Sequence, residues 1–575
     1  MARIFLMNMP AGPIASDYPP VAISRVIDGL EPSLKCEVSF YNLDYHRPSF
    51  DDIGREIASF NPDIIGISGM LTPSYAYLKK LSNFIGEKFP DAVQVVGGQI
   101  NVISNIILSK TCVNFCVIGE SEPVFSRLIA KLKDDAYKPR DMAGYADIKG
   151  IVFIKDGLPH FTGYETAKAP SSYNQFNYSM MERFTPLDNY IHPVGGQYFR
   201  VRLINSDIKG LFSLLKPENL DKNLATAFAS KGCVNRCTFC HRFTRGYKVL
   251  ESEGVEEYIE KLKKEKDVGM LLFSEENFGN HRKNTAKFVE YLKDTGLNWA
   301  APAVRVKSVD EEIIRSWKEA GCVHINFGIE SLSQKILDVM EKMSTVEENL
   351  EAVRLCYRYK IFTVMGLVIG MPGETEETIE ETIGNICKVI PDDINFPFEI
   401  YINFVQAIPG TPVYEYARRM GLIGGTLEDE ERYIESLHDI DANEIAHYLN
   451  FTDYEKEELA YWKFYITLEI ITAYIRKNGF LNVFRLKKTR PYRVGLVYCL
   501  VPKKLRKFTL KYLMMARFFG VGRTVQIAAI KCRKLLGRKK GRFTSVDRSL
   551  RSINREMPVS VRPDDLSTAV LRESR

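Results

Sequence analysis

Three cysteines share one short segment, Ala229-Ser230-Lys231-Gly232-Cys233-Val234-Asn235-Arg236-Cys237-Thr238-Phe239-Cys240, and their spacing reads CxxxCxxC. Three thiolates in one loop can each bind one iron of a [4Fe-4S] cube, since thiolates are the usual cluster ligands, and they leave the fourth iron open to an exogenous ligand. Two other readings stay open on spacing alone. A zinc site wants a fourth ligand and paired CxxC spacing, with His241 next in the chain to supply it. Three unrelated core cysteines would need no ligand. The other cysteines, Cys36, Cys112, Cys116, Cys322, Cys356, Cys387, Cys499 and Cys532, are scattered, mostly in apolar runs, and read as buried small hydrophobes.

Four more segments follow the cysteines: Phe273-Ser274-Glu275-Glu276-Asn277-Phe278, Phe327-Gly328-Ile329-Glu330-Ser331, Gly370-Met371-Pro372-Gly373-Glu374-Thr375 and Pro409-Gly410-Thr411-Pro412. With Phe239 before the last cysteine, this ordered set resembles the radical S-adenosylmethionine (SAM) superfamily. The resemblance implies that Cys233, Cys237 and Cys240 are the catalytic, metal-binding ligands of a [4Fe-4S] cluster. It implies that Glu275 and Glu276 engage the SAM amino group through charge-assisted bonds. Arg305 would meet the SAM carboxylate and Glu330 the ribose hydroxyls, with Phe239, Gly370 and Gly373 completing the contacts. The two glycines also permit close backbone approach and positive φ.

Upstream, Pro62-Asp63-Ile64-Ile65-Gly66-Ile67-Ser68, Val95-Val96-Gly97-Gly98 and Gly119-Glu120-Ser121-Glu122-Pro123 resemble the cobalamin-binding domain of one large class of these enzymes. The resemblance implies cobalamin contacts at Ser68, Gly69, Gly97, Gly98, Gly119 and Glu120, where small residues let a flat corrinoid lie against a sheet edge. The DxHxxG motif of the cobalamin mutases is absent after the first strand, which runs into Pro10-Ala11-Gly12-Pro13. His46 follows the second strand and reads as a surface or loop residue, so corrinoid binding without a histidine ligand is expected.

What the resemblance implies for activity is a cobalamin-dependent methyltransferase acting on an unactivated carbon or a phosphinate phosphorus. A 5′-deoxyadenosyl radical takes a hydrogen from substrate, and methylcobalamin donates the methyl group. An oxidative cyclase or ring-rearranging enzyme, similar to the anaerobic Mg-protoporphyrin cyclase, is the alternative. From another class, a non-catalytic corrinoid or metal carrier would show the same domains. The implied partners are a small-molecule or lipid substrate and an external electron donor such as ferredoxin or flavodoxin.

The elements that must position these residues follow from periodicity. Residues 1–138 alternate β-rich runs at 3–8, 36–43, 63–68, 92–96 and 115–118 with helical stretches at 23–30, 50–60, 74–89 and 123–132, the pattern of a doubly wound, Rossmann-like parallel sheet. Residues 139–222 read as a connecting segment, with a possible hairpin turning at Asp156-Gly157. Residues 223–424 repeat six β/α units, the pattern of a partial TIM-like (β/α)6 barrel whose strands end at the active face. Residues 425–557 read as a helical, basic domain and 558–575 as a disordered tail.

Composition bounds the rest. In 575 residues, 45% apolar and 26% charged side chains match soluble globular proteins and exclude wholesale disorder or fibrous repeats. At roughly 100 to 200 residues per domain, the length fits about three to five domains. Uninterrupted apolar runs stay well short of the ~18 residues a spanning helix needs. The opening MARIFLMNMPAGP lacks the apolar core of a secretory signal, so a cytoplasmic protein is expected. The net charge of +6 conceals an asymmetry: residues 485–555 hold 22 Lys and Arg against the single acid Asp547, leaving the remaining chain at −15. A basic region interleaved with Leu, Met, Phe and Ile at helical spacing suits peripheral contact with the inner face of a membrane, with nucleic acid as the disfavoured competitor.

Overall fold

The computed structural model describes residues 1–69, 74–139, 142–165, 175–194, 213–241, 246–437, 445, 448–487, 490–502, 505, 511–536 and 546–557. The expected disordered tail at 558–575 lies outside them.

The first sheet contains five parallel strands: β1 (Arg3–Asn8), β2 (Glu37–Asn42), β3 (Ile64–Ser68), β4 (Val93–Gly97) and β5 (Phe115–Val117). Alternate residues face opposite layers, as strand geometry requires: Leu6, Ile64 and Val95 enter one core while Phe5, Ile65 and Val96 enter the other. A sheet buried on both faces needs helices on both sides. One of them, Phe50–Phe60, begins at a capping box between Ser49 and Asp52. The 3-10 turn Gln99–Ile103 and helix Ser104–Lys110 were not expected from sequence. Residues 100–108 are all buried, so no one-sided apolar stripe announces a helix.

The hairpin at Asp156-Gly157 forms between β6 (Ile151–Lys155) and β7 (Leu158–Phe161), with positive φ at both turn residues. It adds antiparallel to β5, giving the order β2-β1-β3-β4-β5-β6-β7. The hairpin expected within the connecting segment therefore extends the edge of the sheet. Strand order reverses between β1 and β3, the crevice at which such sheets bind ligands.

The second sheet runs from β8 (His192–Pro193) through β9 (Asn223–Ala227), β12 (Val268–Phe273), β13 (Asn298–Val304), β14 (Cys322–Glu330) and β15 (Val364–Ile369) to β16 (Glu399–Phe404). The six long strands are parallel, and β8 adds antiparallel at one edge. It curls into a half-barrel that stays open between β8 and β16. Between β9 and β12 a small antiparallel pair, β10 (Ser230–Gly232) and β11 (Tyr247–Val249), carries the cysteine loop out from the sheet.

Beyond the half-barrel, helix Leu427–Glu435 returns to the first sheet's helices. There Tyr75 donates to Glu431 (2.7 Å) and Lys110 pairs with Glu428 (2.8 Å). The long helix Lys456–Asn478 packs on helix Glu376–Cys387 of the half-barrel and receives the basic helices that follow. Among the described residues no helix is long and apolar enough to cross a membrane.

Candidate functional site

Hydrogen bonds anchor the cysteine loop at several points. Thr238 donates from its backbone to Met340 O (2.9 Å) and from its hydroxyl to Val339 O (3.0 Å), while Val413 N donates to Thr238 O (3.0 Å). Cys237, buried, lies between half-buried Cys233 and exposed Cys240, and all three thiols are free of disulfides. Asn235 turns two donors onto sulfur: its backbone N–H toward Cys233 Sγ (3.5 Å) and its amide toward Cys237 Sγ (3.7 Å). Donors aimed at sulfur stabilise the thiolate a cluster requires. Burial pushes the Cys237 thiol up, and the Lys342 ammonium nearby opposes that rise. Three thiols from one loop, with N–H groups already directed at two of them, fit a [4Fe-4S] cluster with an open iron. Among the described residues no group of three or more His, Cys, Asp or Glu side chains is placed to hold a single metal ion.

Lys342 organises one side of this loop. Its Nζ sits 2.8 Å from Glu330 Oε1 and 5.7 Å from the Phe239 ring centroid. Burial opposes its charge, but Glu330 and the Cys237 thiol outweigh burial and hold its pKa above the usual lysine value. Glu330 ends β14 at φ 60, in the left-handed conformation that is uncommon for non-glycine residues. A side chain at Gly328 would collide with both Lys342 and Glu330, so this glycine makes room for the ion pair. The structure thus brings Cys237, Phe239 and Glu330 together through a lysine that no sequence motif marked.

Glu275 and Glu276 part company. Glu276 is exposed, whereas Glu275 is buried at the carboxyl end of β12 and accepts from Ala229 N (3.1 Å) and Ser230 Oγ (2.9 Å). Burial pushes the Glu275 carboxyl up to about 8, against the pull of those donors. Arg305 caps the carboxyl end of β13, half-buried, and donates to Asn280 Oδ1 (3.3 Å). Gly370 and Gly373 both have positive φ, and they differ in surroundings. A Cβ on Gly370 would lie 2.6 Å from the Tyr448 hydroxyl, which donates to Gly370 O (2.8 Å); one on Gly373 would meet open space.

In the first sheet, Ser68, Gly97 and Gly98 line a shallow hollow, open to solvent, whose lining includes Leu6, Val95 and Phe125. Gly98, at φ 94, lets the chain pass so close to Gly69 O that a Cβ would sit 2.3 Å from it. Among the described residues nothing approaches the Cβ position of Gly97. These residues fit a corrinoid. Glu120 is differently employed: its carboxylate pairs with Lys231 (2.8 Å), Lys248 (3.1 Å) and Arg25 (3.2 Å). Burial alone would raise its pKa, yet these three cations hold it down at about 2. Gly119, at φ 84, has Tyr164 as the one neighbour of its Cβ position among the described residues.

A second feature escaped the sequence. The end of the basic region, helix Val546–Glu556, docks on the cysteine loop. Arg236 donates to Asn554 O (2.7 Å) and Met557 O (2.9 Å), Asn554 Nδ2 donates back to Arg236 O (2.8 Å), and Leu550 and Ile553 are buried. A cation on the last carbonyls of a helix is favoured by the helix dipole. Nothing in a basic stretch more than 300 residues downstream could have announced this contact.

Residues 228–386 match the radical SAM superfamily and residues 9–129 match the B12 binding domain. The chain is 26% identical over 415 residues to the anaerobic magnesium-protoporphyrin IX monomethyl ester cyclase of Cereibacter sphaeroides, covering 70% of this chain and 61% of that protein. It is 25% identical over 359 residues to the cytidylyl-2-hydroxyethylphosphonate methyltransferase of Streptomyces wedmorensis, covering 58% of this chain and 63% of the other. Less than two thirds of the length of each of these relatives is therefore spanned. In fold, the chain superposes on the cobalamin-dependent SAM radical enzyme OxsB with aqua-cobalamin and SAM bound, at TM-score 0.57 and 14% identity, covering 100% of this chain and 80% of the other. The radical SAM methyltransferase TsrM from Kitasatospora setae, with cobalamin and a [4Fe-4S] cluster bound, gives TM-score 0.55 at 18% identity, covering 73% and 76%.

Proposed function

This chain carries a B12-binding domain ahead of a radical SAM domain, and on that premise we propose a cobalamin-dependent radical SAM methyltransferase acting on an unactivated carbon or a phosphinate phosphorus. The domains imply a [4Fe-4S] cluster, SAM and cobalamin. Residues 1–138 with the 151–161 hairpin would hold the corrinoid, 223–424 the cluster and SAM, and 425–557 would anchor the protein.

The observation that carries this reading is the link between the two candidate sites. Glu120, at the ligand edge of the first sheet, pairs with Lys231, two residues before Cys233. Two cofactors that act on one substrate must share a cavity, and this contact closes the first sheet onto the cysteine loop. When bound, the cofactors supply the radical and methyl-transfer chemistry, and the protein supplies placement and dryness. In this arrangement Cys233, Cys237 and Cys240 hold the cluster. Asn235 steadies the sulfurs, and Glu275, Glu276, Arg305, Glu330 and Gly373 are assigned to SAM. Ser68, Gly69, Gly97, Gly98 and Gly119 cradle the corrinoid. An external one-electron donor is required, and we place the protein in the cytoplasm, against the membrane's inner face.

An oxidative cyclase is the second reading, favoured by the 70% of this chain that aligns with the Cereibacter sphaeroides cyclase. The test is anaerobic reconstitution with iron, sulfide and hydroxocobalamin, followed by metal analysis and a search for methylated products. Roughly four irons and one cobalt per chain are expected. Iron without cobalt would overturn the methylcobalamin reading, and zinc alone would overturn the cluster.

A further inference from the structure

The four helices Phe480–Leu486, Arg490–Cys499, Lys511–Phe519 and Val521–Leu536 present apolar side chains to solvent. Leu481 and Phe484 are each 65% exposed, Val497 67%, Leu500 74%, Phe518 56% and Val521 68%. Within the first helix, Leu481 and Phe484 lie three apart, and buried Val483 points the other way, into the core. The second helix repeats the arrangement, with exposed Val494 and Val497 opposite buried Tyr492 and Leu496. Each of these two helices therefore has an inner face that packs and an outer apolar face that does not. A soluble protein rarely leaves this many large apolar side chains exposed on adjacent elements unless something covers them.

These helices are neighbours. The first and second pack on each other and on the long helix Lys456–Asn478; the third and fourth pack on each other, and the third also reaches the long helix. Phe464 of the long helix stacks on Phe518 of the third at 5.4 Å, and both rings remain partly exposed. The covering partner is specified by charge. Residues 480–536 hold 15 Lys and Arg and no Asp or Glu. Of these cations, Lys511 is drawn inward to Glu376 and Glu458 and Arg523 to Glu455 and Glu457, so the acids that meet this region come from the body beneath it. Among the described side chains Arg485, Arg493 and Arg517 are exposed beside these apolar residues, and exposed apolar groups with cations between them, on helices too short and too charged to span, describe a surface that lies in the headgroup region of an anionic bilayer.

We propose that the helices Phe480–Leu486, Arg490–Cys499, Lys511–Phe519 and Val521–Leu536 form a membrane-docking surface that binds anionic phospholipid, with Leu481, Phe484, Val497 and Leu500 entering the acyl boundary. The proposal rests on the peripheral contact assigned above and names the surface and the lipid charge. It does not depend on the methyl chemistry. A polyanion such as nucleic acid would satisfy the cations while leaving the apolar side chains in water, which is why lipid is the better fit.

The test is co-sedimentation of the full-length protein with phosphatidylglycerol or phosphatidylcholine vesicles, alongside a variant carrying Leu481→Ser, Phe484→Ser, Val497→Ser and Leu500→Ser. All four side chains are exposed, so the variant should keep its thermal transition. Expected is binding to phosphatidylglycerol, little binding to phosphatidylcholine, and roughly tenfold or greater weakening in the variant, as removal of four inserted apolar groups implies. The proposal is overturned if phosphatidylglycerol vesicles are not bound, if the four serines leave binding unchanged, or if duplex DNA competes for a site indifferent to them. Vesicle binding needs no cofactor. A chain that loads iron and cobalt but ignores vesicles would sink this surface and the peripheral contact while leaving the methyltransferase reading, and one that binds vesicles but loads no cobalt would sink the methyltransferase reading alone.

Discussion

Lys231 places its ammonium 2.8 Å from Glu120 across the boundary between the two sheets, two residues before the first cysteine of the loop. Glu120 also takes up Lys248 from β11 and Arg25 from the helix Val21–Asp28, so one carboxylate ties the first sheet to both strands of the cysteine hairpin. Removing it takes the carboxylate partner from Lys231 and Lys248, while Arg25 keeps its pair with Glu122. Glu120→Gln should destabilise the protein by about 2 kcal/mol, less than the ~3–5 kcal/mol of a fully buried pair because Lys248 is partly exposed. Urea unfolding measures it. Loss of cobalamin affinity with unchanged stability would instead return Glu120 to the corrinoid contact expected from sequence.

Cys237→Ala should abolish cluster assembly and reductive SAM cleavage while leaving cobalamin binding intact, because the corrinoid hollow is lined by residues of the first sheet and its flanking helices and by none of the cysteine loop. Iron analysis and an assay for 5′-deoxyadenosine check the first part, and cobalamin titration the second. Retained SAM cleavage would sink the cluster assignment.

The docking of helix Val546–Glu556 on the cysteine loop predicts that Asn554→Ala, which removes the bond to Arg236 O, weakens the latch by about 1–1.5 kcal/mol. That corresponds to roughly tenfold faster loss of iron to a chelator from the reconstituted protein if loop opening limits release. Truncation after residue 545 should act in the same direction and more strongly, since it also uncovers the sites of Leu550 and Ile553. Unchanged iron release in both would show the helix to be a passenger.

Glu275 and Glu374 are both buried carboxyls pushed up to about 8. A carboxyl whose pKa is raised on folding keeps its proton in the folded state, so stability falls as pH rises from about 4.5 through about 8. Glu374 accepts from Gly370 N, and Glu275 from Ala229 and Ser230. Glu275→Gln and Glu374→Gln together should flatten the decline in melting temperature between pH 6 and 9. An unaltered slope, measured by calorimetry across that range, would contradict the burial argument.

The two glycines of the 370–375 loop should respond differently to alanine. At Gly370 a Cβ meets the Tyr448 hydroxyl as well as the positive φ, so Gly370→Ala should cost more than the ~1–2 kcal/mol of left-handed strain alone. At Gly373 only that strain applies, and a ligand pressed against the open Cβ position would add a selective loss of SAM affinity. Thermal shift and SAM binding, measured on the same pair, separate the two.

Local sequence rules determined much of this protein. The β-rich runs and helical patterns place the parallel strands of the first sheet within a few residues, because apolar runs record burial directly. The cysteine motif and glycine-rich strand ends are likewise contiguous, so chemistry confined to one loop is legible in one loop. The helix at 104–110 was hidden because burial all round erases the periodicity that reveals a helix. What only the tertiary structure decided are the pairings between distant segments: Lys342 with Glu330, Gly370 with Tyr448, Glu120 with Lys231, and Arg236 with Asn554. Each joins residues whose types are ordinary in their own surroundings. Their meaning comes from desolvation and proximity, which exist only once the sheets close on each other.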